Sequence, residues 1–525
     1  MKPILSHPIF TSAEAKRWET DLLADTAAEW TAMQKAGDAI ALSVCEDFQE
    51  IGGLPGSARL LLLVGKGHNG GDALLAAGAI LGKYPQATAD VLLCFGEAAL
   101  RPLARRSLEV LKTEAGARCR TVSLSQLKTD LANYDVCLDG VFGFQFRAPM
   151  DEPTAEILAW VNTHPRIRLR AAIDLPSGIG EPNASTVFRA DFTYATGIVK
   201  SPVVAEANAA WVGRLRYLDL GFFSEARAVP ETTDRILVSS ILAPLAKLRS
   251  SQSDKRTYGH ICIVGGSHSY PGAVVLAVRA ALRSGVGLVT AFVPESLAPL
   301  CATQHPEVMW VACPLNRAGG LAANTLSLVS ERLKRADALL IGPGLGADPE
   351  TLELVRQLAA EATLPLVLDA DALRPEVVRE VRTKAFVCTP HAGEFKRIAP
   401  VLFEEDKFVA PRGVVVLKGP LTQVTDGKNH YFSPFGGPVL ARGGSGDMLA
   451  GLIGGLLAQA PDDPLLAACR GVVWHGLAAD LLARAQGQVA VENSQLLEQL
   501  GPALLSTHAR LTDGAPGVHG SERPA

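Results

Sequence analysis

The sequence predicts two α/β domains in one chain, and three observations support that prediction. The chain has 525 residues, and one hydrophobic core stops growing well below that size, so a division into domains is expected. Short apolar runs, each followed by a glycine-bearing turn and an alanine- or leucine-rich segment, are typical of parallel strands that cross over through helices. This series stops near residue 221 and starts afresh at residue 260, which indicates one series in each domain.

The predicted strands fall into two sets. A helix with Met33, Ala36 and Ala39 on one side precedes the first set, whose ranges are 59–64, 90–95, 136–138, 170–173 and 214–221. The second set has the ranges 260–264, 288–293, 338–341, 366–368, 386–389 and 414–417.

The connector between the two sets carries proline and charged residues over 228–234. We therefore expect a first domain over 1–230 and a second over 231–505. The last residues, 506–525, are small, polar and proline-bearing, so a flexible tail is expected there.

Composition and charge exclude several classes of protein. Hydrophobic residues make up 48% and charged residues 20% of the chain, which argues against disorder. A formal charge of -4 provides no positive field for nucleic acid or an anionic membrane. The nine cysteines show no CxxC spacing, and no secretory signal is visible. We therefore expect a cytoplasmic protein with reduced thiols.

The first candidate site is the glycine turn of residues 65–72, which follows the strand at 59–64 and opens a helix. Glycines let a backbone approach a ligand, and free amides at a helix N-terminus favour an anion such as a phosphate. The glycines alone are equally compatible with a tight turn that binds nothing. Asn69 and Asp72 favour a site, because they add an amide oxygen and a carboxylate beside the turn.

Two further acids stand at predicted strand ends. Asp139 follows the strand at 136–138, and Asp174 follows the strand at 170–173. In doubly wound sheets, ligands bind at the carboxyl ends of strands, so these acids can converge with Asp72 on one crevice. Each acid taken alone could instead cap a helix.

Five segments in this order resemble the NAD(P)HX epimerases, which have a Rossmann-like fold. They are MQKAG at 33–37, GKGHNGGD at 65–72, LDGVFG at 138–143, IDLPSG at 173–178, and Lys200. The resemblance implies a potassium ion held by Asn69, Asp139 and Ser177, and proton transfer by Asp174. It also implies that the hydrated dinucleotide is bound by His68, Asn69, Gly70, Gly71, Asp72, Gly143, Phe144, Gln145, Phe146, Arg147, Ala148, Pro149 and Asp174. The sequence departs from the family pattern at His68, at Ala73 and at Phe144-Gln145.

The second candidate site is the segment ARGGSGDMLAG at 441–451, which leads into an apolar helix. Consecutive glycines expose backbone amides at a helix N-terminus and form an anion hole for a phosphoryl group in transfer. Asp447 stands where it can accept a hydroxyl proton. A glycine turn before a helix with an acidic first turn would explain Asp447 alone, but not the segments that accompany it.

Those accompanying segments are GGS at 265–267, PGA at 271–273, GPGLG at 342–346, LDADAL at 368–373, TPHAGEF at 389–395 and LKGPLT at 417–422. In this order they resemble the ADP- or ATP-dependent NAD(P)HX dehydratases, which have a ribokinase-like fold. The resemblance implies that Ala273, Gly344, His391 and Asp447 line the hydrated cofactor. It further implies that the nucleotide is held by Lys418, Gly419, Pro420, Leu421, Thr422 and Gly446.

Two smaller points qualify this second site. The sequence departs from the dehydratase pattern at Ala392 and Gly437. A histidine after a strand, such as His391, is most often structural, but its position between Pro390 and Gly393 favours contact with the ligand.

Together the two resemblances imply an enzyme that repairs hydrated nicotinamide cofactors. The first domain would interconvert the R and S hydrates, NADHX and NADPHX, with potassium bound. The second would dehydrate the S form with ADP and Mg²⁺, giving AMP and phosphate. We expect a homo-oligomer without nucleic-acid or membrane partners. The alternative is a ribokinase-like small-molecule kinase joined to a dinucleotide-binding domain without catalytic activity.

Overall fold

The structure is a computed structural model that describes residues 4–130, 132–180, 184–223, 229–403 and 413–512. It divides into two compact units. The N-terminal unit comprises His7–Ile236 together with Ala483–Gln488, and the C-terminal unit comprises Leu237–Leu482 with the described residues of both chain ends. The boundary at residue 230 stays a prediction. Of the expected tail, residues 513–525 lie outside the described residues, and the last helix reaches Thr512.

The described residues of the N-terminal unit form nine strands and seven α-helices. The strands are β1 (Ser6–Phe10), β2 (Arg59–Val64), β3 (Thr88–Leu93), β4 (Cys119–Thr121), β5 (Tyr134–Gly140), β6 (Ile167–Ile173), β7 (Phe192–Thr196), β8 (Val199–Lys200) and β9 (Arg214–Leu218). The helices are α1 (Ser12–Leu22), α2 (Thr26–Phe48), α3 (His68–Lys83), α4 (Pro102–Ala115), α5 (Leu124–Thr129), α6 (Glu152–Thr163) and α7 (Ala209–Val212).

Seven of these strands form one sheet in the order β4-β3-β2-β5-β6-β7-β9, and all its pairs are parallel. The run of leucines in β2 is buried, as expected for a central strand covered on both faces. One core cluster lies between the sheet and α2, α3 and α4, and a second lies on the α6 side. The strand order reverses between β2 and β5, which is where a doubly wound sheet binds its ligand.

The C-terminal unit follows the same plan. Strand β10 (Asp234–Leu237) spans the boundary between the two units along the chain. The strands of the C-terminal unit are β11 (His260–Val264), β12 (Leu288–Pro294), β13 (Met309–Cys313), β14 (Ala338–Ile341), β15 (Leu366–Leu368), β16 (Phe386–Cys388), β17 (Val414–Leu417), β18 (Thr422–Thr425) and β19 (His430–Ser433). Its helices are α8 (Pro271–Arg283), α9 (Ala298–Gln304), α10 (Thr325–Leu333), α11 (Pro349–Glu361), α12 (Pro375–Val378), α13 (Ala392–Leu402), α14 (Ser445–Gln459), α15 (Pro464–Gln486) and α16 (Asn493–Thr512).

Within this unit the strands run in the order β13-β12-β11-β14-β15-β16-β17-β18-β19. The pairs from β13 to β17 are parallel, and β17-β18 and β18-β19 are antiparallel. The strand order reverses between β11 and β14, so this unit also has a switch point. The predicted α/β class is confirmed.

One helix among the described residues, α15, is long and apolar enough to cross a membrane. Of its most apolar window, 83% is buried inside the protein, and a core helix meets the same criteria. All nine cysteines are unpaired and are buried or half-buried.

Candidate active sites

A cavity of about 460 Å³ opens at the switch point of the N-terminal unit. Residues from α1, α2, the start of α3, the loop after β5 and the ends of β6 and β8 line it. The predicted site residues in its wall are His68, Asn69, Asp72, Gly143, Phe144, Gln145, Phe146, Arg147, Pro149 and Asp174. Gly70, Gly71 and Ala148 are not among the lining residues, and neither are Asp139 and Ser177, which are buried.

The predicted glycine turn is shorter than expected, because α3 already begins at His68 with Gly67 as its N-cap. Asn69 and Asp72 therefore lie in the first turns of α3. The backbone amides of a first turn have no partner within the helix, and this end of α3 lines the cavity. Close backbone packing requires glycine at position 65, before the start of α3, and at position 70, inside it. A Cβ on Gly65 would lie 1.9 Å from the carbonyl oxygen of Val141, and one on Gly70 would lie 2.5 Å from the carbonyl oxygen of Gly65.

The three proposed potassium ligands share one hydrogen-bond cluster. Ser177 donates from its Oγ to Asp139 Oδ1 at 2.7 Å and from its backbone nitrogen to Oδ2 at 2.8 Å. The Nδ2 of Asn69 donates to the carbonyl oxygen of Phe142 at 3.1 Å, and the Phe142 nitrogen donates to Ser177 Oγ at 2.9 Å. Three separate segments of the chain thus meet in one hydrogen-bond cluster.

Asn69, Asp139 and Ser177 carry the oxygen atoms that could hold a cation here. Burial raises the pKa of Asp139 to about 6, although hydrogen bonds from Ser177 and Val141 oppose that shift. A bound cation would favour the ionised carboxylate instead. Asn69 Oδ1 faces Gly143, where an added Cβ would come within 2.8 Å of it. The described residues contain no group of three or more His, Cys, Asp or Glu side chains suited to a metal ion.

Asp174 is held in a strained conformation beside a buried lysine. It directly follows β6 and has a φ of 67°, in the left-handed region that costs free energy for a residue other than glycine. Lys200, at the end of β8, is 1% exposed and donates from Nζ to Asp174 Oδ1 at 2.6 Å. Burial opposes the charge of Lys200, but Asp174 and Glu19 outweigh it, so its pKa is raised.

Glu19 is a site residue that the sequence patterns did not reveal. It lies in α1, its Oε1 is 3.5 Å from Lys200 Nζ, and it lines the cavity. Burial, followed by the charge of Asp174, raises its pKa, and Lys200 opposes that shift. No motif surrounds Glu19 in the sequence, so only the docking of α1 shows its place.

In the C-terminal unit, α14 begins at Ser445 after Gly444, whose φ is 91°. Asp447 lies in the first turn of α14 and is half-buried. Burial and then the charge of Asp369 raise its pKa to about 6, against the opposing effect of Lys418. The predicted arrangement of glycine turn, helix start and acidic side chain is therefore present.

Lys418, at the end of β17, connects this helix start to the neighbouring strands. Its Nζ donates to Asp369 Oδ1 at 2.9 Å, and the Oγ1 of Thr389 donates to the same oxygen at 2.7 Å. A Cβ on Gly446 would lie 3.0 Å from Lys418 Nζ, so glycine allows the two segments to approach. Asp369 was part of a recognised segment, but its pairing with Lys418 was not predicted.

Two turns complete this region. Ala370 has a φ of 49°, and the next residue, Asp371, accepts a hydrogen bond from the Gly346 nitrogen at 2.9 Å. Gly344 lies next to Ala273, because a Cβ on Gly344 would come within 3.0 Å of the Ala273 methyl carbon. These contacts bring the segments around β14, β15 and α8 together.

His391 has a structural role that the sequence left open. Its Nδ1 accepts hydrogen bonds from the backbone nitrogens of Gly393 and Glu394, so it caps α13. Its side chain is 62% exposed, and it pairs with Lys418 through an isolated bridge. Contact between His391 and a ligand stays a prediction. Of the predicted nucleotide-binding residues, Gly419 and Pro420 are exposed, while Leu421 and Thr422 are half-buried.

Sequence models of two families match the chain, one in each half. The family described as YjeF-related protein N-terminus matches residues 30–201, and the family described as NAD(P)H-hydrate dehydratase matches residues 261–502.

Similar proteins cover most of the chain. A protein of Moorella thermoacetica named bifunctional NAD(P)H-hydrate repair enzyme Nnr is 34% identical over 493 residues, which are 89% of this chain and 91% of that protein. A protein of the same name from Gloeobacter violaceus is 35% identical over 517 residues, 94% of this chain and 97% of its own length. A solved structure of a ribokinase-like superfamily protein from Enterococcus faecalis is 25% identical, with a TM-score of 0.45, and covers 54% of this chain and 99% of its own.

The buried ion pair at the first site makes a prediction about stability. Replacing Lys200 with methionine should lower the free energy of unfolding by roughly 3–5 kcal/mol, because it leaves a buried carboxylate without its partner. Urea denaturation followed by circular dichroism measures this loss. The control is Lys35→Met, which removes an exposed lysine from α2. The double variant Lys200→Met/Asp174→Asn should recover part of the loss, and an unchanged midpoint in Lys200→Met would refute the role of the pair.

Proposed function

Since the chain belongs to the family of bifunctional NAD(P)H-hydrate repair enzymes, we propose that its N-terminal unit epimerises the hydrates and its C-terminal unit dehydrates the S form. Reduced nicotinamide cofactors add water across a double bond of the dihydropyridine ring, which gives R and S hydrates. One activity alone would leave half of this material unrepaired, so the two activities complement each other.

For dehydration, we propose that Asp447 takes the proton from the ring hydroxyl of the S hydrate. The hydroxyl oxygen then attacks the terminal phosphorus of ADP and AMP leaves. The nitrogen lone pair then expels the phosphate, and loss of a proton from the adjacent ring carbon to water restores the double bond of the dihydropyridine. The amides of residues 443–446 would neutralise the charge that develops on the phosphoryl oxygens. The observation that supports this assignment best is the position of Asp447 in the first turn of α14, close enough to Asp369 and Lys418 for their charges to shift its pKa.

Lys418 and the residues after it would bind the adenine nucleotide. Lys418 Nζ stands beside Gly446 at the start of α14, where a cation and helix amides together favour phosphate oxygens. Mg²⁺ would enter with the nucleotide, because this ion is usually bound through substrate phosphates and water. Gly419, Pro420, Leu421 and Thr422 would follow the nucleotide along the β17–β18 connection.

For epimerisation, we propose that the hydrated nicotinamide ring enters the cavity of the N-terminal unit and meets Asp174 as a proton-transfer residue. A potassium ion held by Asn69, Asp139 and Ser177 would supply fixed positive charge behind the cavity wall. The start of α3 would bind a phosphate of the dinucleotide through its free amides. The unpaired thiols fit a cytoplasmic location, and assembly into a homo-oligomer follows only from family resemblance.

Epimerase activity should depend on potassium, because Asn69, Asp139 and Ser177 supply oxygen ligands without the number of acids expected for magnesium or calcium. The rate of R-to-S exchange would be measured in buffers that contain potassium or an organic cation at equal ionic strength. Ser177→Ala should weaken the potassium dependence. Equal rates in both buffers would show that the ion site is assigned wrongly.

Asp174→Asn should remove epimerisation and leave dehydration of the S hydrate nearly unchanged, because the two sites belong to separate compact units. Both rates would be measured on one preparation of the full chain, together with a melting profile. If both activities fell while the melting profile stayed the same, the proposed independence of the sites would be wrong.

Asp447→Asn keeps the shape of the side chain but removes the proton acceptor, so turnover of S-NADHX with saturating ADP should fall by ~100-fold to 10,000-fold. Nucleotide affinity should survive. Because the pKa of Asp447 is raised to about 6, kcat/KM of the unaltered enzyme should fall as the pH drops below about 6. The variant should lack that acid limb.

The measurement for Asp447 is the recovery of dihydronicotinamide absorbance, compared between ADP and ATP as donor. Turnover within a few-fold of the unaltered enzyme would overturn the assignment of Asp447 as the base. If no absorbance returned with either donor in the unaltered enzyme, the small-molecule kinase alternative would be favoured.

A further inference from the structure

Asp72 has a position in the epimerase cavity that the proposed mechanism does not yet use. It lies in α3, is 7% exposed and lines the cavity. Its Oδ1 is buried without any hydrogen-bond partner in the structure. An ionised carboxylate oxygen left without a donor in a buried site costs far more free energy than a protonated carboxyl group does.

The charges around Asp72 point to the same protonation state. The groups that act on it are Asp174, which follows β6, Glu19 in α1 and Lys200 in β8. Together with Asp72 itself, three carboxyl groups therefore interact with one ammonium group, that of Lys200. Lys200 lies against Asp174 and Glu19, so its charge is already balanced before Asp72 ionises.

Burial, followed by repulsion from Asp174 and Glu19, raises the pKa of Asp72 well above its ordinary value, and Lys200 opposes this only in part. The pKa of Asp174 is raised less, because Lys200 bonds to it directly. When protons are lost as pH rises, Asp174 therefore ionises before Asp72. Asp72 and Asp174 can therefore serve as one carboxylic acid and one carboxylate in the same cavity.

Epimerisation of a hydrate needs both forms. Hydration of an enamine places the hydroxyl on the carbon next to the ring nitrogen, and inverting that carbon requires one of its bonds to break and form again. A group must supply a proton to the leaving oxygen, and another must take a proton from the oxygen that returns. Two titratable groups whose environments separate their pKa values can fill these two roles.

We propose that Asp72 is the acid of the epimerase and works as the partner of Asp174, an inference that rests on the proposed epimerase function. Asp72 gives its proton to the ring hydroxyl, the C–O bond breaks and water leaves, while the nitrogen lone pair forms an iminium bond. Water then adds to the other face of the ring and gives one proton to Asp174. One proton has passed from Asp72 to Asp174, and the reverse reaction returns it.

Glu19 is a positioning residue in this scheme. Its carboxylate shares Lys200 with Asp174, and it adds to the negative charge that keeps the proton on Asp72. The same negative charge would stabilise the cationic iminium intermediate after water has left.

The test is the rate of R-to-S exchange in the full chain with Asp72→Asn. Asparagine keeps the shape and cannot transfer a proton, so exchange should fall by ~100-fold to 10,000-fold. Melting should stay unchanged, because Asp72 Oδ1 accepts no hydrogen bond that could be lost. Asp38→Asn, which alters an exposed carboxylate on α2, is the matched control and should exchange at the normal rate. Dehydration of the S hydrate should stay unchanged in both.

A pH profile separates proton transfer from a structural role. Exchange by the unaltered enzyme should fall at alkaline pH, where Asp72 loses its proton. Asp72→Glu should keep part of the activity and shift that alkaline limb. Exchange by folded Asp72→Asn within a few-fold of normal, or a limb unmoved in Asp72→Glu, would overturn the proposal for Asp72. An unaltered enzyme that does not speed exchange at all would instead overturn the proposed function.

Discussion

A lysine ammonium paired with a buried carboxylate at the end of a strand organises each of the two sites. Lys200 bonds to Asp174 in the N-terminal unit, and Lys418 bonds to Asp369 in the C-terminal unit. Each pair lies beside a residue other than glycine in the left-handed region, Asp174 itself in one unit and Ala370 in the other. Strain of this kind persists only where the surroundings impose it, and in both units the ion pair joins the strained turn to another strand.

An excess of carboxyl groups over lysines gives each site a group that can exchange protons. In the N-terminal unit, Glu19, Asp72 and Asp174 all interact with the charge of Lys200. In the C-terminal unit, Asp447 and Asp369 both interact with the charge of Lys418. The degree of burial then decides how far the pKa of that group is raised. Asp447 is half-buried and its pKa reaches only about 6, which suits a base at neutral pH. Asp72 is buried and its Oδ1 has no hydrogen-bond partner, so burial and the neighbouring carboxylates raise its pKa further and it acts as an acid.

The sequence predicted the switch-point strands well and the packing of side chains poorly. The ranges of β2, β11, β14, β15 and β17 match the predicted ones, because these strands are short apolar runs bounded by turns. The half-exposed β13 and the antiparallel β18 and β19 were missed, since their polar residues weaken that signal. Of the three acids expected to converge, Asp72 and Asp174 both line the cavity, whereas Asp139 is buried and does not line it. The contribution of Glu19 depends on how α1 docks, which no local pattern encodes.

Three of the four residues that depart from the epimerase pattern are accommodated by their surroundings. His68 is exposed at the first position of α3, so it does not disturb the core. The methyl group of Ala73 is buried against Gly140, where a Cβ on Gly140 would come within 2.9 Å of it. The lack of a side chain at Gly140 therefore leaves room for the methyl group of Ala73. The ring of Phe144 lies 5.0 Å from Lys200 Nζ. An aromatic face attracts an ammonium group and keeps water from it, so Phe144 supports the charge of Lys200. These three substitutions therefore leave the Lys200–Asp174 pair intact, and the negative charge of Asp174 adds to burial in keeping the proton on Asp72.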